Sequence, residues 1–325
     1  MDELIADHLY HLELGEIQEH KGMSVFPLYN GGDDTLYITL TEAMGTGLLK
    51  ITELDNYGSV PELKVINQAS VPVLLLDGEE LAGAKQNRVL NTTILLKENS
   101  ETVIPVSCTE QGRWSYNSLE FTESGNVASY RVRRHKSASV NQSLKNQGEF
   151  RSDQRLVWEE IDEISRKSRV KSSTRAMQDV YQSREEDLEE YLPSFPVQEG
   201  QMGLLVMFNG DVMGLDILSS SIAYLTLHRK LLKSYALEAL LMEGEGEDGF
   251  NGLDKAKSFL DEARLSIDEK HKSVGYGWDH RLEGPGILGS SLTYQEQVIH
   301  IALFRDHPGD IPGMSSYRQR RSFRM

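Results

Sequence analysis

Apolar and polar positions alternate in short blocks along the first 130 residues. Val25-Phe26-Pro27-Leu28-Tyr29 is an apolar run closed by Asn30-Gly31-Gly32, a turn signal. Thr41-Glu42-Ala43-Met44 predicts a short helix that Thr41 caps and that Gly45 and Gly47 stop. Leu48 to Leu54, Glu62 to Asn67 and Val71 to Leu76 predict strands. The last is apolar on both faces, so a central, buried place is expected, with Pro72 tolerated near its start. Val89 to Leu96 and Thr102 to Cys108 predict a hairpin around Lys97-Glu98-Asn99-Ser100. Connections this short leave no room for crossover helices, so antiparallel pairing is expected.

The middle of the chain reads differently. Residues 131–150 are rich in Ser, Asn and Gln and read as a mobile loop. Val157, Ile161 and Ile164 then form a helical stripe that Ser152 would cap. Met177, Tyr181, Leu188 and Tyr191 mark a second helical stretch, ended by Pro193 and Pro196. The strongest local signal follows: Asn209-Gly210 between Gly203–Phe208 and Asp211–Ile217 is a type I′ hairpin pattern. Ser219-Ser220-Ser221 offers a cap for a helix running through Ile222 and Ala239. Gly244 to Gly249 is an acidic, glycine-rich loop. Leu253, Ala256, Leu260, Ala263 and Ile267 space as an amphipathic helix, and Leu282 to Tyr294 and Val298 to Phe304 as strands.

These elements predict an α+β protein: a largely antiparallel β-rich N-terminal part, long helices, and a C-terminal part of hairpin, helices and sheet. The blocks are 1–130, 131–200 (basic and helical), 201–304 and a disordered tail 305–325, all of them compatible with one composite domain. Leu74 to Glu79 and Val206 to Asp211 share an order of apolar run, Asp or Asn, Gly, acid, which either a duplicated strand–turn–strand unit or two ordinary turns would produce.

Charge sharpens the picture. Asp and Glu number 50 against 34 Lys and Arg, a net charge of −16, which disfavours broad nucleic-acid binding. The segment 131–175 runs the other way, with twelve Lys/Arg and six Asp/Glu. It suits docking on the acidic remainder of the same chain, on a second copy in a homo-oligomer, or on an acidic protein partner. The single cysteine, Cys108, excludes an intrachain disulfide. Acids at Asp2 and Glu3 and the lack of any long apolar run argue against a secretory signal and a membrane span, so a cytoplasmic place is expected.

Two polar stretches follow strands. The first is Asp77-Gly78-Glu79-Glu80-Leu81-Ala82-Gly83-Ala84-Lys85-Gln86-Asn87-Arg88. It is not a phosphate-binding P-loop, because Ala84 separates Gly83 from Lys85 and Gln86 stands where Ser or Thr would hold magnesium. The second is Pro105 to Trp114, with Cys108, Glu110, Gln111, Gly112 and Arg113. Glu79, Glu80 and Glu110 are candidate acid–base groups, and Cys108 is a candidate nucleophile only if a base lowers its pKa. Lys85, Gln86, Asn87, Arg88, Gln111, Arg113 and Trp114 are candidate ligand-binding groups: the cations suit phosphate or carboxylate and Trp114 suits stacking. The competing reading makes both stretches ion pairs that only tie the chain. The nine histidines are scattered with no ligand spacing, so no metal site is expected and no cofactor is named.

Asp77 to Arg88 and Cys108-x-Glu110-Gln111-Gly112-Arg113-Trp114 resemble the family named for its association with ADP-ribosylglycohydrolases and the rhodanese-phosphatase superfamily. The resemblance runs from about Tyr29 to the strand around His300. It implies a link to NAD and ADP-ribose pathways and carries no settled reaction. Two functions follow as expectations. One is a pocket of the two motifs that binds or processes an anionic nucleotide-like ligand such as ADP-ribose. The alternative is a non-catalytic interaction or regulatory protein.

Overall fold

A computed structural model of the chain describes residues 1–31, 36–54, 61–242 and 252–306. The N-terminal part holds α1 (Glu3–Tyr10), β1 (Glu13–Leu14), β2 (Gln18–His20), β3 (Met23–Tyr29), β4 (Ile38–Thr39), α2 (Leu40–Gly45), β5 (Leu49–Glu53) and β6 (Glu62–Asn67). It continues with β7 (Val73–Leu75), β8 (Glu79–Gly83), β9 (Arg88–Leu90), β10 (Ile94–Leu96), β11 (Ser100–Cys108) and β12 (Phe121–Val127). Four helices follow: α3 (Tyr130–Gln147), α4 (Gln154–Lys167), α5 (Met177–Ser183) and α6 (Glu185–Tyr191). The remainder is β13 (Gly203–Phe208), β14 (Asp211–Leu218), α7 (Ser221–Leu241), α8 (Gly252–Arg264), β15 (Ile267–Lys272), β16 (Trp278–Gly284), β17 (Ile287–Tyr294) and β18 (Gln297–Arg305). The class is α+β.

One sheet of nine strands runs β1-β3-β13-β14-β18-β17-β16-β15, with β2 also on β3. It joins the two ends of the chain, because β3 pairs with β13 from Gly203↔Leu28 to Phe208↔Met23. A six-stranded sheet runs β12-β8-β9-β11-β6-β5. Its two outer strands meet again at the bridge Thr52↔Glu120, so the sheet curls back on itself around Ile51, Leu63, Val65, Leu81, Leu90, Ile104 and Phe121. The strands of a three-stranded sheet, β10-β7-β4, alternate in sequence with those of the six-stranded sheet. The described ladders are antiparallel except β4–β7, which is parallel.

The 203–218 hairpin forms as its sequence predicts. Asn209 and Gly210 have φ of 45° and 79°, the two left-handed residues a type I′ turn needs. The resembling Asp77-Gly78 turn does not repeat it. β7 pairs with β10 and β4 whereas β8 pairs with β9 and β12, so that turn passes the chain between sheets. The hairpin around residues 97–100 forms in part: β9 pairs with β11 through Leu90↔Val106, but β10 turns away to β7.

Caps shift by a residue where a better acceptor is next door. Thr39, in a capping box with Glu42, starts α2 in place of Thr41. Asp153, accepting from the Arg155 and Leu156 amides, starts α4 in place of Ser152. Ser220 caps α7. Ile267 is not on α8; it begins the edge strand β15 and is exposed. Gly32, the 244–249 loop and residues 307–325 lie outside the described residues.

The main correction concerns 131–150, which is helix and not loop. Ser129 caps α3, and Gly148, at φ 71°, ends it. Its buried face carries Arg133, Lys136, Ser137 and Asn141 beside Val132 and Val140. Arg133, Lys136 and Asn141 among them meet carboxylates of the same chain. Arg133 grips Asp216 of β14 by two hydrogen bonds of 2.9 and 2.5 Å, Lys136 pairs with Asp77, and Lys145 reaches Glu283 at 2.6 Å. Asp216 also accepts from Tyr235 Oη at 2.9 Å.

Candidate functional site

The two motifs meet at one end of the curled six-stranded sheet. Its lining comes from the last residue of β5 (Glu53), the β8–β9 connection (83–88), the end of β11 with the loop after it (108–116), and the approach to β12 (118–120). Close approach of these loops demands glycine at 83. Its φ is 120°, and a Cβ there would sit 2.7 Å from Ser118 Oγ and 3.0 Å from the Glu120 carbonyl.

Arg113 staples the loops together. Its Nε and Nη2 donate to Glu110 Oε2 at 2.9 and 2.6 Å, and Nη1 donates to the Ala84 and Ser115 carbonyls at 2.7 and 3.0 Å. Nη2 also reaches the Gly83 carbonyl and Asn87 Oδ1. Glu110 takes the Asn87 amide at 3.2 Å, and Asn87 Nδ2 donates to Gln178 at 3.0 Å. Arg113, Glu110 and Asn87 therefore brace each other. Gln111 points outward, where Arg175 Nη1 donates to it at 2.8 Å.

A different set faces the mouth. Arg88 is fully buried, and its Nη1 donates to Gln86 Oε1 at 3.1 Å and to Cys108 Sγ at 3.0 Å. Its Nη2 lies 3.6 Å from Glu53, and neither Nη2 nor Nε has a hydrogen-bond partner. Lys85 Nζ stands 5.3 Å from the Trp114 ring centre and 5.1 Å from that of Tyr116, and the Arg88 guanidinium 5.7 Å from Trp114. The two rings are 49% and 44% exposed, so they form a half-open roof over two buried cations. Gln154, at the start of α4, clamps the Cys108 backbone: it accepts from the amide at 2.7 Å and donates to the carbonyl at 2.8 Å.

A family model described as the ARG and Rhodanese-Phosphatase-superfamily-associated Protein domain matches residues 11–304. The chain belongs to that family. No curated protein and no solved structure matches it. The family's span contains both motifs, Glu53 and the strands that hold them, and so encloses the whole mouth.

The acids within this family domain have separate surroundings. Glu79 faces away from the mouth and takes Lys230 Nζ at 2.7 Å and the Leu76 amide at 2.8 Å. Burial raises its pKa, and Lys230 opposes that rise. Glu80 is fully buried; Thr109 Oγ1 donates to its Oε1 at 2.7 Å, while Oε2 has no partner. Burial pushes Glu80 up to about 7, so it exchanges a proton near neutrality. Burial likewise pushes the Cys108 thiol up to about 11 despite Arg88 beside it. The thiol is therefore protonated at neutral pH and lacks the thiolate a nucleophile needs. Among the described residues, Asp2, Asp268 and His280 form a three-membered group of metal-ligand type, outside both motifs and already joined by Asp2 N–Asp268 and His280–Asp268 hydrogen bonds.

Glu53, Tyr116, Gln154 and Gln178 were not read from the sequence. Glu53 had a signal: Leu49, Ile51 and Glu53 share the inward phase of β5, so an acid continues an apolar stripe. The glutamines carried no comparable mark.

Proposed function

We propose that the mouth of the six-stranded sheet binds an anionic, nucleotide-like small molecule, in keeping with a place in NAD- or ADP-ribose-linked metabolism. The observation that carries this reading is the pair of buried cations, Lys85 and Arg88, beneath the half-exposed rings of Trp114 and Tyr116. Both cations stand close to Glu53: its carboxylate lies 3.6 Å from Arg88 and accepts the Lys85 amide. The rings suit a base or sugar face, and the cations a phosphate. Buried N–H groups of Arg88 without a partner are costly unless something fills them. Arg113, Glu110 and Asn87 hold the loops and do not contact the ligand in this reading. Glu80, buried against Thr109 and held near 7, is the carboxyl whose pKa suits proton transfer if the bound molecule is processed. The family's name, with its link to ADP-ribosylglycohydrolases, supports the ligand class.

The interaction-protein reading has its own support in the Glu79–Lys230 and Glu110–Arg113 pairs, which are internal ties. A thermal-shift panel of NAD, ADP-ribose, AMP, ribose 5-phosphate and magnesium separates the two. Saturation at about 100 times Kd adds about 2.7 kcal/mol of stability, a rise of several degrees. We expect such a rise with a nucleotide or sugar phosphate and its loss in Arg88→Met. No rise at millimolar ligand, or full retention in Arg88→Met, overturns the binding reading.

A further inference from the structure

We infer that the basic loop between α4 and α5, residues 166–175, is a second anion-binding element on the rim of the mouth, so that the mouth prefers nucleotides with two or more phosphates to those with one. This rests on the binding reading above and adds how much charge the ligand carries, and which residues meet its outer part.

The observation is a run of one sign in an acidic chain. Between Glu163 and Asp179 stand Arg166, Lys167, Arg169, Lys171 and Arg175 and no Asp or Glu, in a chain of net charge −16. Another acid-free basic run, 131–145, turns inward: Arg133, Arg134 and Lys136 are buried, and Arg133 and Lys136 meet Asp216 and Asp77. The five cations of 166–175 are all exposed. Two acids of α4 reach them: Glu163 lies 2.7 Å from Arg166 and 3.6 Å from Lys167, and Asp162 lies 3.4 Å from Arg175. Five cations against two acids leave the loop an excess of three positive charges.

The loop is fixed beside the motif that carries the roof. Ala176 bridges Glu110, the Met177 amide donates to the Thr109 carbonyl at 2.9 Å, and the Gly112 amide donates to the Thr174 carbonyl at 2.7 Å. Arg175 Nη1 donates to Gln111 at 2.8 Å. A Cβ on Gly112 would stand 2.9 Å from Thr174 Cα, so glycine is what lets the loop in. The next two residues are Arg113, which clasps the mouth, and Trp114, part of its roof. Residues 174–177 therefore run alongside the strand end that leads into the roof, and the charge of the loop comes to the rim.

The ligand chemistry follows from that charge and its limits. Exposed cations hold phosphate by charge and in a salt-dependent way, and their exposed pairs with Asp162 and Glu163 are weak enough to give way to it. The basic run is also bounded. Glu159, Asp162 and Glu163 precede it, and Asp179, Glu185 and Glu186 follow. A long polyanion such as a nucleic acid would run off the loop onto acids, whereas a diphosphate ends within it. A small nucleotide with a second phosphate is the anion that fits.

The test is titration calorimetry of the full chain with AMP and with ADP. We expect the wild type to bind ADP about tenfold more tightly, an advantage that shrinks as salt rises from about 50 to 200 mM. In Arg169→Gln/Lys171→Gln, ADP loses most of that affinity and the advantage falls below about threefold. Both side chains are exposed, so this variant is expected to melt with the wild type. Equal binding of AMP and ADP by the wild type, or an ADP advantage that the variant keeps, overturns the inference and leaves the binding reading standing. Binding of neither nucleotide also overturns it, and NAD and the sugar phosphates of the thermal-shift panel then decide the binding reading. A single-stranded oligonucleotide that binds more tightly than ADP, and loses that binding in the variant, overturns the small-ligand assignment.

Discussion

Arg133 and Arg88 are both fully buried arginines, and they end in opposite ways. Arg133, on α3, meets Asp216 through two parallel hydrogen bonds. Arg88, on β9, meets an amide oxygen and a thiol sulfur, stands 3.6 Å from its nearest paired carboxylate, and keeps two nitrogens without a partner. Taking a guanidinium out of water is unfavourable in either place, and the first arginine offsets that with a matched anion from its own chain. The lesson is a way of sorting buried charge. Where the chain completes the pair, the charge fixes architecture. Where it stops short, next to exposed aromatic rings, the charge is what the proposed binding rests on.

The largest expected effect breaks the architectural side. Arg133→Met leaves Asp216 buried without its cation, and a loss of about 3–5 kcal/mol in urea unfolding is expected. A loss under about 1 kcal/mol would show that the α3 pair is not structural. The next effect separates the two regions by pH. Glu80 ordinarily titrates near 4.5 and is held at about 7 in the fold. The native state therefore keeps a proton that the unfolded chain releases, so stability declines as pH rises from 4.5 to 7 and levels off above. Glu80 contributes about 3 kcal/mol to that decline. Glu238, also pushed to about 7 by burial, adds in the same window, so the difference between wild type and Glu80→Gln isolates Glu80. Asp216 acts in the opposite sense: burial alone would raise it, but Arg133 holds it at about 2, and its contribution is lost as pH falls below 3.8. Identical melting-temperature profiles for wild type and Glu80→Gln across pH 4.5–7.5 would refute the Glu80 assignment. The smallest effect on stability belongs to the open side. Trp114 is 49% exposed, so Trp114→Ala changes unfolding by no more than about 1.5 kcal/mol while weakening the ligand response about tenfold. A cost of about 3 kcal/mol or more would instead make the ring part of the core.

These contrasts also explain what was readable in the sequence. The 203–218 hairpin announced itself because its turn needs two left-handed residues and Asn-Gly supplies them. The α8 stripe was readable because its partners are apolar. The α3 helix was not, for the same reason in reverse: its buried face bears Arg133, Lys136 and Asn141, whose partners are carboxylates far along the chain. A hydrophobic period cannot mark a helix whose packing face is charged. At the mouth, the two motifs named Lys85, Arg88 and Trp114, because those residues lie in dense polar runs. Their division into clasp and contact depended on the fold. Nothing local in the sequence says that Arg113 spends its donors on Glu110, Ala84 and Ser115 while Arg88 does not.

The pairing of β3 with β13 has a consequence for how the chain is made. Leu28 and its partner Gly203 are about 175 residues apart, so at ribosomal speeds of about 5–20 residues per second the first waits some 10–35 s for the second. The strands that form the mouth all lie between Leu49 and Val127 and emerge together. The large sheet is the part that must be held open during synthesis, with the apolar β3 as its exposed, unfinished edge.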